Sequence, residues 1–222
     1  MKVDWDHLLQ AESSPVPLTV IRFYSWERPT VSLGKHQQVE KAVDRLYCQE
    51  NRIPVVHRPT GGRAVLHADE ITYAVVSNDH SLFPLQSISQ TYAVIAVALQ
   101  RSLELMGIEA SLCPGLVSQT NSPGSDQQNP CFVTSARHEL QCRGRKLAGS
   151  AQRRLKRSFL QHGSIPLTVD CGEMGRVLGC SENLLKRNTI SLSEAAQRSI
   201  SFGQTANFLK SGFEQVLSSP LP

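Results

Sequence analysis

The chain has 222 residues and a formal net charge of +4 at pH 7, and 40% of its residues are hydrophobic. This composition is typical of a globular protein, and a modest positive charge without a tract of lysine or arginine argues against a dedicated nucleic-acid binder. The first residues lack the apolar core of a signal peptide, and no uninterrupted apolar run is long enough to span a membrane. We therefore expect a cytoplasmic protein that acts neither on nucleic acid nor at a membrane.

The first half of the chain shows strand and helix patterns in turn. Runs of apolar and β-branched residues predict strands at 18–24, 53–58, 63–67 and 71–77. The last two are separated by a turn short enough for antiparallel pairing between them.

Two helices are predicted among these strands. The segment 39–51 has the periodicity of an amphipathic helix, with Val39, Val43 and Leu46 on one face. After the fourth strand, a long helix is predicted to begin at Ser87 or Ser89 and to end at Gly107.

The second half of the chain begins with a segment of different composition. Residues 113–130 are rich in proline, glycine, serine and glutamine without apolar periodicity, which predicts a mobile surface loop. Residues 131–169 predict two or three strands with turns at Arg143-Gly144 and near Lys156, and a closing helix is predicted at 205–217.

The loop "RPTGGR", between Arg58 and Arg63, contains adjacent glycines at 61 and 62. Such a pair permits positive backbone dihedrals and close approach, so the loop could bend around a bound group. A tight hairpin with surface arginines explains the same pattern equally well. His67, four residues later, fits either a hydrogen-bonding element of a turn or a catalytic base.

A second motif, "GRKLAGSAQRR", places Lys146 among small residues that include Gly149 and Ser150. Small neighbours leave room for a substrate against the ammonium group, whereas a solitary lysine is more often a solvated turn residue. In the following "QHGSI", His162 and Gly163 form a second place where the backbone can approach a ligand closely. We take Gly149, Ser150, His162 and Gly163 as candidate substrate-binding residues.

The cysteines show no CxxC pair and no neighbouring histidines of the kind zinc sites use, so we predict no metal and reduced thiols. Buried, inert thiols are expected at four of them, Cys48, Cys142, Cys171 and Cys180. Cys131 differs because it follows Pro130 where the predicted loop enters a strand, a position suited to a partly exposed thiol. A nearby ammonium favours a thiolate, and Lys146 supplies one if strands 131–134 and 138–142 are neighbours; a buried inert cysteine is the alternative.

Taken together, these segments resemble the biotin/lipoate protein ligase superfamily, and more closely the octanoyltransferases of lipoyl assembly. The resemblance runs over roughly residues 4–170 and rests on five blocks in order: "RFYSWERPTVSLGKHQ", "RPTGGRAVLHADEITYAVV", "CFVTSARHEL", "GRKLAGSAQRR" and "LQHGSI". It implies an α+β catalytic fold with a mixed, largely antiparallel sheet, helices packed on one side, and an acyl tunnel between the sheet and the glycine-rich loop. It also implies a single catalytic domain over 1–222 with no accessory domain, whose amino terminus lacks the strand that family members usually carry first.

The resemblance further implies a cysteine-dependent transferase that needs no cofactor. Cys131 corresponds to the nucleophile that carries the acyl group as a thioester, and Lys146 to the lysine that favours its thiolate. By the same correspondence, Arg58, Gly61, Gly62, Arg63 and His67 wall the acyl chain and the thioester. The donor is octanoyl-acyl carrier protein, and the acceptor is a lysine of a lipoyl domain such as that of the glycine cleavage system H protein.

Three alternatives fit the same blocks. An ATP-dependent lipoate-protein ligase would form an acyl-adenylate and would survive loss of Cys131. An octanoyl amidotransferase would take its acyl group from another lipoyl domain by the same cysteine chemistry. An inactive module that binds lipoyl domains or acyl carrier protein would bind without turnover.

Overall fold

The computed structural model describes residues 1–113 and 139–218. Its strands are Thr19–Tyr24 (β1), Thr30–Leu33 (β2), Val55–His57 (β3), Val65–His67 (β4), Glu70–Ser77 (β5), Ser111–Leu112 (β6), Leu140–Cys142 (β7), Arg145–Lys146 (β8), Gly149–Arg154 (β9) and Phe159–Pro166 (β10). Its helices are Lys2–Ser13 (α1), Val39–Ala42 (α2), Arg45–Glu50 (α3), Ile88–Leu105 (α4), Cys171–Leu178 (α5), Glu182–Asn188 (α6), Leu192–Ala196 (α7) and Phe202–Leu217 (α8). The α+β architecture with largely antiparallel sheets is confirmed.

The four-stranded antiparallel sheet at the centre has the order β1-β5-β10-β9. Every residue of β5 is buried, and because side chains alternate across a strand, its two faces enter different cores. Tyr73 and Val75 pack in the core formed with α4 and α8, whereas Ala74 and Val76 pack with Leu8 of α1. Helices therefore cover both faces of this sheet, and the expectation of helices on one side only is wrong.

Helices α4 and α8 lie against each other and are capped as their sequences indicate. The Ser87 side chain accepts a hydrogen bond from the backbone of Gln90, which confirms the predicted start of the long helix, and Ser201 forms a capping box with Gln204. A Cβ at Gly212 would lie 2.1 Å from Oγ of Ser102, so the missing side chain lets the two helices approach closely. Among the residues that the structure describes, no helix is long and apolar enough to cross a membrane.

A smaller three-stranded sheet has the order β3-β2-β4, with β2 parallel to β3 and antiparallel to β4. The predicted antiparallel pairing of 63–67 with 71–77 is wrong, because β4 bonds to β2 while β5 bonds to β1 and β10. Only Ala68 and Asp69 separate β4 from β5, so the chain passes from one sheet to the other within two residues. Sequence periodicity missed β2, a four-residue strand in which all positions are buried.

The predicted amphipathic helix at 39–51 is two short helices. The chain leaves the helical region at Val43, and the side chain of Asp44 then caps α3 by accepting from the backbone N–H of Tyr47. This restart rotates the second helix, so that Cys48 is buried while Leu46 is 72% exposed. The predicted helix face is therefore wrong at Leu46.

The remaining strands form a small antiparallel sheet in the order β6-β7-β8. Its hairpin turns at Arg143 and Gly144, which both have positive φ (52° and 72°), as the sequence predicts. The chain turns again at Lys156 and Arg157 between β9 and β10, and the predicted closing helix is α8. The helices between residues 171 and 196 were not predicted.

Candidate active site

A cleft lies between the two larger sheets, where the three-stranded sheet faces β9 and β10. Seven of the residues singled out from the sequence line it together: Arg58, Gly62, His67, Gly149, Ser150, His162 and Gly163. It lies on the α1 side of the central sheet, and the side chains on that face change from Val76 and Leu160 beneath α1 to Thr72 and Ser164 at the cleft. The cleft therefore has a polar wall inside an otherwise apolar sheet.

The glycine-rich loop is held by Arg58, whose side chain is only 5% exposed. Its guanidinium donates to the backbone oxygens of Gly61 (2.9 Å) and Arg63 (2.7 Å) within the loop and of Ser32 (2.8 Å) in β2. The hairpin with surface arginines is therefore wrong at Arg58, because β3 and β4 lie on either side of β2 and this arginine points inward.

Glycine is required on both walls of the cleft. A Cβ at Gly34 would lie 2.0 Å from the backbone oxygen of Gly62, and Gly62 itself has a φ of +91°. On the opposite wall, a Cβ at Gly163 would lie 2.5 Å from the ring of Tyr73 and 2.7 Å from the backbone oxygen of Gly149. The close approach predicted at Gly163 is thus an approach of the protein to itself, which fixes the shape of the wall.

His67 lies in a row of polar side chains that runs along the cleft. Its Nε2 is 2.7 Å from Oγ of Ser32, and its Nδ1 is 2.9 Å from Oε1 of Glu70. The indole of Trp26 stacks on the imidazole with ring centroids 4.3 Å apart. We call Ser32, His67 and Glu70 the hydroxyl–imidazole–carboxylate row.

Glu70 is 3% exposed and is held by hydroxyl groups as well as by His67. Thr72 hydrogen-bonds to Oε1 and Ser164 to Oε2. Because the N–H of Trp26 can only donate, and does so to Thr72 at 3.0 Å, the hydroxyl hydrogen of Thr72 is available to Glu70. Two hydroxyl groups and an imidazole thus surround this buried carboxyl group with hydrogen-bonding partners.

His162 joins β10 to the glycine-rich loop. Its Nε2 is 2.6 Å from Oγ1 of Thr60, and both side chains are buried. Burial, aided by the positive charge of Arg58, lowers the pKa of His162 to about 3. This histidine is therefore neutral throughout the physiological pH range and serves as a hydrogen-bonding group of the wall.

Tyr73 lies behind the wall of the cleft, on the face of the central sheet that packs against α4 and α8. It pairs with Ser150, which lines the cleft. The hydroxyl groups of Ser150 and Tyr73 are 2.6 Å apart, and the side-chain amide of Gln161 donates to the tyrosine oxygen at 3.2 Å. Burial is the main cause that raises the pKa of Tyr73 to about 12, and the negative charge of Glu139 adds to it. The charge of Glu139 therefore acts on Tyr73, behind the wall of the cleft.

Lys146 is a buried member of an ion pair and not a solvated turn residue. Its Nζ lies 2.7 Å from Oε2 and 2.8 Å from Oε1 of Glu139, and both side chains are at most 5% exposed. The residue lies on β8 and precedes the cleft-lining Gly149 by three positions. The fold therefore holds Lys146 in the interior, three positions before a residue of the cleft, with a carboxylate beside its ammonium group.

The other two predicted loop residues, Gly61 and Arg63, line an adjoining groove together with His36, Gln37 and Lys41. Gly62 lines both the groove and the cleft, so the two are continuous. The groove has a positive rim made by side chains from two segments of the chain.

Cys131 lies outside the described residues, so its proposed proximity to Lys146 stays a prediction. Among the other cysteines, Cys48 and Cys142 are buried as predicted, whereas Cys171 and Cys180 are only partly buried. Burial raises the pKa of the thiols of Cys48, Cys171 and Cys180, which suits inert thiols.

The sequence patterns did not identify three polar residues of the cleft, Ser32, Thr72 and Ser164, or three partners of the predicted site residues, Thr60, Glu70 and Glu139. The sequence carries a signal for some of them. Glu70 and Thr72 on β5, like His162 and Ser164 on β10, are polar residues two positions apart in strands whose residues are all buried. Such residues share one face of a strand, and in a fully buried strand that face must meet other polar groups.

The chain is similar to known proteins over almost its whole length. Residues 2–214 match the model of the lipoyl protein ligase A/B catalytic domain. The chain is 35% identical over 227 residues to the octanoyltransferase LipM of Bacillus cereus, an alignment that covers 96% of this chain and 80% of that protein.

Solved structures show the same fold. A lipoate protein ligase from T. acidophilum, determined with bound lipoic acid, superposes with a TM-score of 0.76 at 22% identity and covers 98% of this chain and 80% of that one. A bipartite lipoate protein ligase from Thermoplasma acidophilum, studied together with its E2 lipoyl domain, gives a TM-score of 0.72 at 20% identity, with coverage of 98% and 78%.

Proposed function

The chain belongs to the lipoyl protein ligase A/B catalytic-domain family, and from that premise we propose that it is an octanoyltransferase of lipoate biosynthesis that modifies lipoyl-domain proteins. The observation that carries this proposal is the similarity to an octanoyltransferase over 96% of the chain. We further propose that the donor is octanoyl-acyl carrier protein, that the acceptor is a lysine of a lipoyl domain such as the H protein of glycine cleavage, and that the reaction takes place in the cytoplasm.

The proposed reaction has two steps. The thiolate of Cys131 attacks the thioester carbon of the donor, the bond from that carbon to the carrier sulfur breaks, and the carrier leaves as a thiol after taking a proton. The amine of the acceptor lysine then attacks the octanoyl-enzyme, an amide bond forms, the bond to Cys131 breaks, and the thiolate returns. No adenylate is formed, so the reaction needs neither ATP nor magnesium.

The buried ion pair supports a role for Lys146 in this reaction. Glu139 supplies the opposite charge in an interior where an isolated ammonium would be costly. We propose that this ammonium donates to the oxygen of the acyl group when the substrate is bound. Charge that develops on such an oxygen during attack would be stabilised by a fixed donor of this kind.

The glycine-rich loop and the facing strands form the proposed acyl-binding wall. Gly34 and Gly163 keep the backbones close, while the hydrogen bonds of Arg58 hold the loop in one shape. The adjoining groove, with Arg63, His36 and Lys41 on its rim, suits the negative surface of an acidic carrier protein, as does the net charge of +4.

Intact-protein mass spectrometry tests the proposal. We expect wild-type protein mixed with octanoyl-acyl carrier protein, without ATP, to gain the mass of one octanoyl group, and Cys131→Ser to gain none. Cys180→Ser, which removes a partly buried thiol away from the cleft, is the matched control and should be acylated like the wild type.

Modification of a lipoyl domain only when free octanoate, ATP and magnesium are supplied would contradict the proposal and identify a ligase. Acylation from an octanoylated lipoyl domain but not from the carrier would identify an amidotransferase, and binding of partners without any acyl transfer would identify an inactive module.

A further inference from the structure

The hydroxyl–imidazole–carboxylate row is a connected path for a proton. Ser32 and His67 line the cleft, and Glu70 lies behind them at the end of the row. The three side chains come from two different sheets, since Ser32 and His67 belong to β2 and β4 while Glu70 begins β5. The three residues form no local motif in the sequence, because Ser32 and His67 are 35 positions apart.

The hydrogen-bond partners fix the direction of the path. Arg58 can only donate, and its Nη1 lies 3.1 Å from Oγ of Ser32, so the serine oxygen accepts that bond. With Glu70 ionised, a neutral His67 must carry its hydrogen on Nδ1 and donate it to the carboxylate. Nε2 is then an acceptor, and the hydroxyl hydrogen of Ser32 points to it. Every group in the row is thus paired, and the imidazole is ready to accept a proton through the serine.

We propose that the hydroxyl–imidazole–carboxylate row is the proton acceptor for the attacking lysine amine in the acyl-transfer step. This inference rests on the proposed function, because it requires an octanoyl thioester in the cleft and an amine that attacks it. It does not depend on which sulfur carries the octanoyl group.

The step balances as follows. The acceptor lysine first loses one proton to water and enters as a neutral amine. Its nitrogen lone pair forms the C–N bond, and the nitrogen passes a second proton to Oγ of Ser32 while the serine hydrogen moves to Nε2 of His67. The electron pair of the breaking C–S bond leaves with sulfur as a thiolate. The imidazolium of His67 is stabilised by the adjacent Glu70 carboxylate and then returns its proton to water.

The charges around the row act in known directions. Glu70 contacts His67 directly, whereas the Arg58 guanidinium contacts Ser32 and favours negative charge on the serine oxygen. The face of Trp26 covers the imidazole and restricts its rotation. Glu70 therefore positions His67, and Ser32 is the group that meets the amine.

The test follows octanoyl transfer to a lipoyl-domain lysine under single-turnover conditions. We expect His67→Ala and Ser32→Ala each to slow transfer by about 100-fold or more, the range that a general base contributes. In His67→Ala, added imidazoles should restore transfer to an extent that increases with their basicity. His57→Ala, which removes an exposed histidine that is not part of the cleft, should transfer at the wild-type rate and gain nothing from imidazole.

Each outcome separates the two proposals. If wild-type protein forms no octanoyl-protein and transfers nothing, the proposed function fails. If the wild type transfers octanoyl but Ser32→Ala and His67→Ala keep its rate, or if rescue follows the size of the added compound and not its basicity, the proton relay is overturned and the row is structural.

Should His67→Ala fail to fold, Ser32→Ala removes only one buried oxygen and carries the test alone. Glu70→Gln should also slow transfer, and Glu70→Asp should recover part of the rate, because only the carboxylate can balance the imidazolium.

Discussion

The ammonium of Lys146 lies 2.7 Å from a carboxylate oxygen of Glu139, and neither side chain is more than 5% exposed. A lysine in a glycine-rich turn would ordinarily extend into solvent. Here the hairpin of β7 and β8 turns it inward, where its charge has a partner of opposite sign.

Removing only the carboxylate of this ion pair should cost more stability than removing both charged groups. Glu139→Ala leaves a buried ammonium without its carboxylate and should lower the free energy of unfolding by about 3–5 kcal/mol. Adding Lys146→Met to Glu139→Ala should recover most of that loss, because the second change removes the unbalanced charge. Urea unfolding of the wild type, both single variants and the double variant measures the coupling, and equal losses in Glu139→Ala and the double variant would show that the charge is not the cause.

Gly163 should not tolerate even a methyl group. In Gly163→Ala the new Cβ would overlap the ring of Tyr73 and the backbone of Gly149, so we expect a loss of about 1–3 kcal/mol in the free energy of unfolding. Gly61→Ala is the control, because a Cβ there meets no atom within 4 Å, and its unfolding free energy should change by less than about 1 kcal/mol. Similar stabilities for the two variants in urea unfolding would contradict the packing argument.

Gly34 should affect activity through the glycine-rich loop. A Cβ at this position would lie 2.0 Å from a backbone oxygen of Gly62, so in Gly34→Ala the loop must move away from β2. A displacement of this size in a binding site can reduce the rate by about 100-fold, and we expect a loss of that order in octanoyl transfer. Gly203→Ala, where a Cβ meets no atom within 4 Å, should transfer octanoyl at the wild-type rate. A wild-type rate in Gly34→Ala would mean that the position of the loop does not matter for transfer.

His162 should lower the free energy of unfolding as the pH falls. Its folded-state pKa of about 3 is below the value of 6.5 for an unperturbed histidine, so between these pH values the unfolded chain binds a proton that the folded chain does not. The resulting loss in the free energy of unfolding is small above pH 6.5 and grows as the pH falls toward 3, with a slope of up to about 1.4 kcal/mol per pH unit.

We therefore expect His162→Gln to lose less stability than the wild type between pH 7 and pH 5, by up to about 2 kcal/mol. The measurement is the free energy of unfolding in urea at the two pH values. The control His57→Gln replaces an exposed histidine and should reproduce the wild-type difference. Equal pH dependence in His162→Gln and the wild type would show that folding does not lower the pKa of His162.

The sequence predicted the elements of this fold better than their pairing. Strong local signals identified β1, β5 and α4, because runs of apolar and β-branched residues and the cap at Ser87 act within a few residues. The pairing of β4 with β2 depends on contacts between distant segments, which local periodicity does not encode. The break at Val43 was missed because Asp44 can cap a new helix as readily as it can continue an old one.

In the candidate site, too, residues with a local signal were predicted, and residues that depend on distant partners were not. Most of the glycines, the histidines and Arg58 were found from motifs, since each stands out from its neighbours in the chain. Ser32 and Glu139 were not found, because a serine in a short strand and a glutamate in a hairpin gain their meaning only from His67 and Lys146, which lie elsewhere in the sequence.

The two sheets that enclose the cleft are joined differently at its two ends. At one end Ala68 and Asp69 connect them covalently, and two residues allow almost no separation. At the other end they are linked by the hydrogen bond from Thr60 to His162. The covalent connection beside Glu70 holds the two sheets together at that end, whereas noncovalent contacts hold them at the glycine-rich loop. We therefore expect the cleft to widen for an acyl chain at the loop, where opening would break the hydrogen bond between Thr60 and His162.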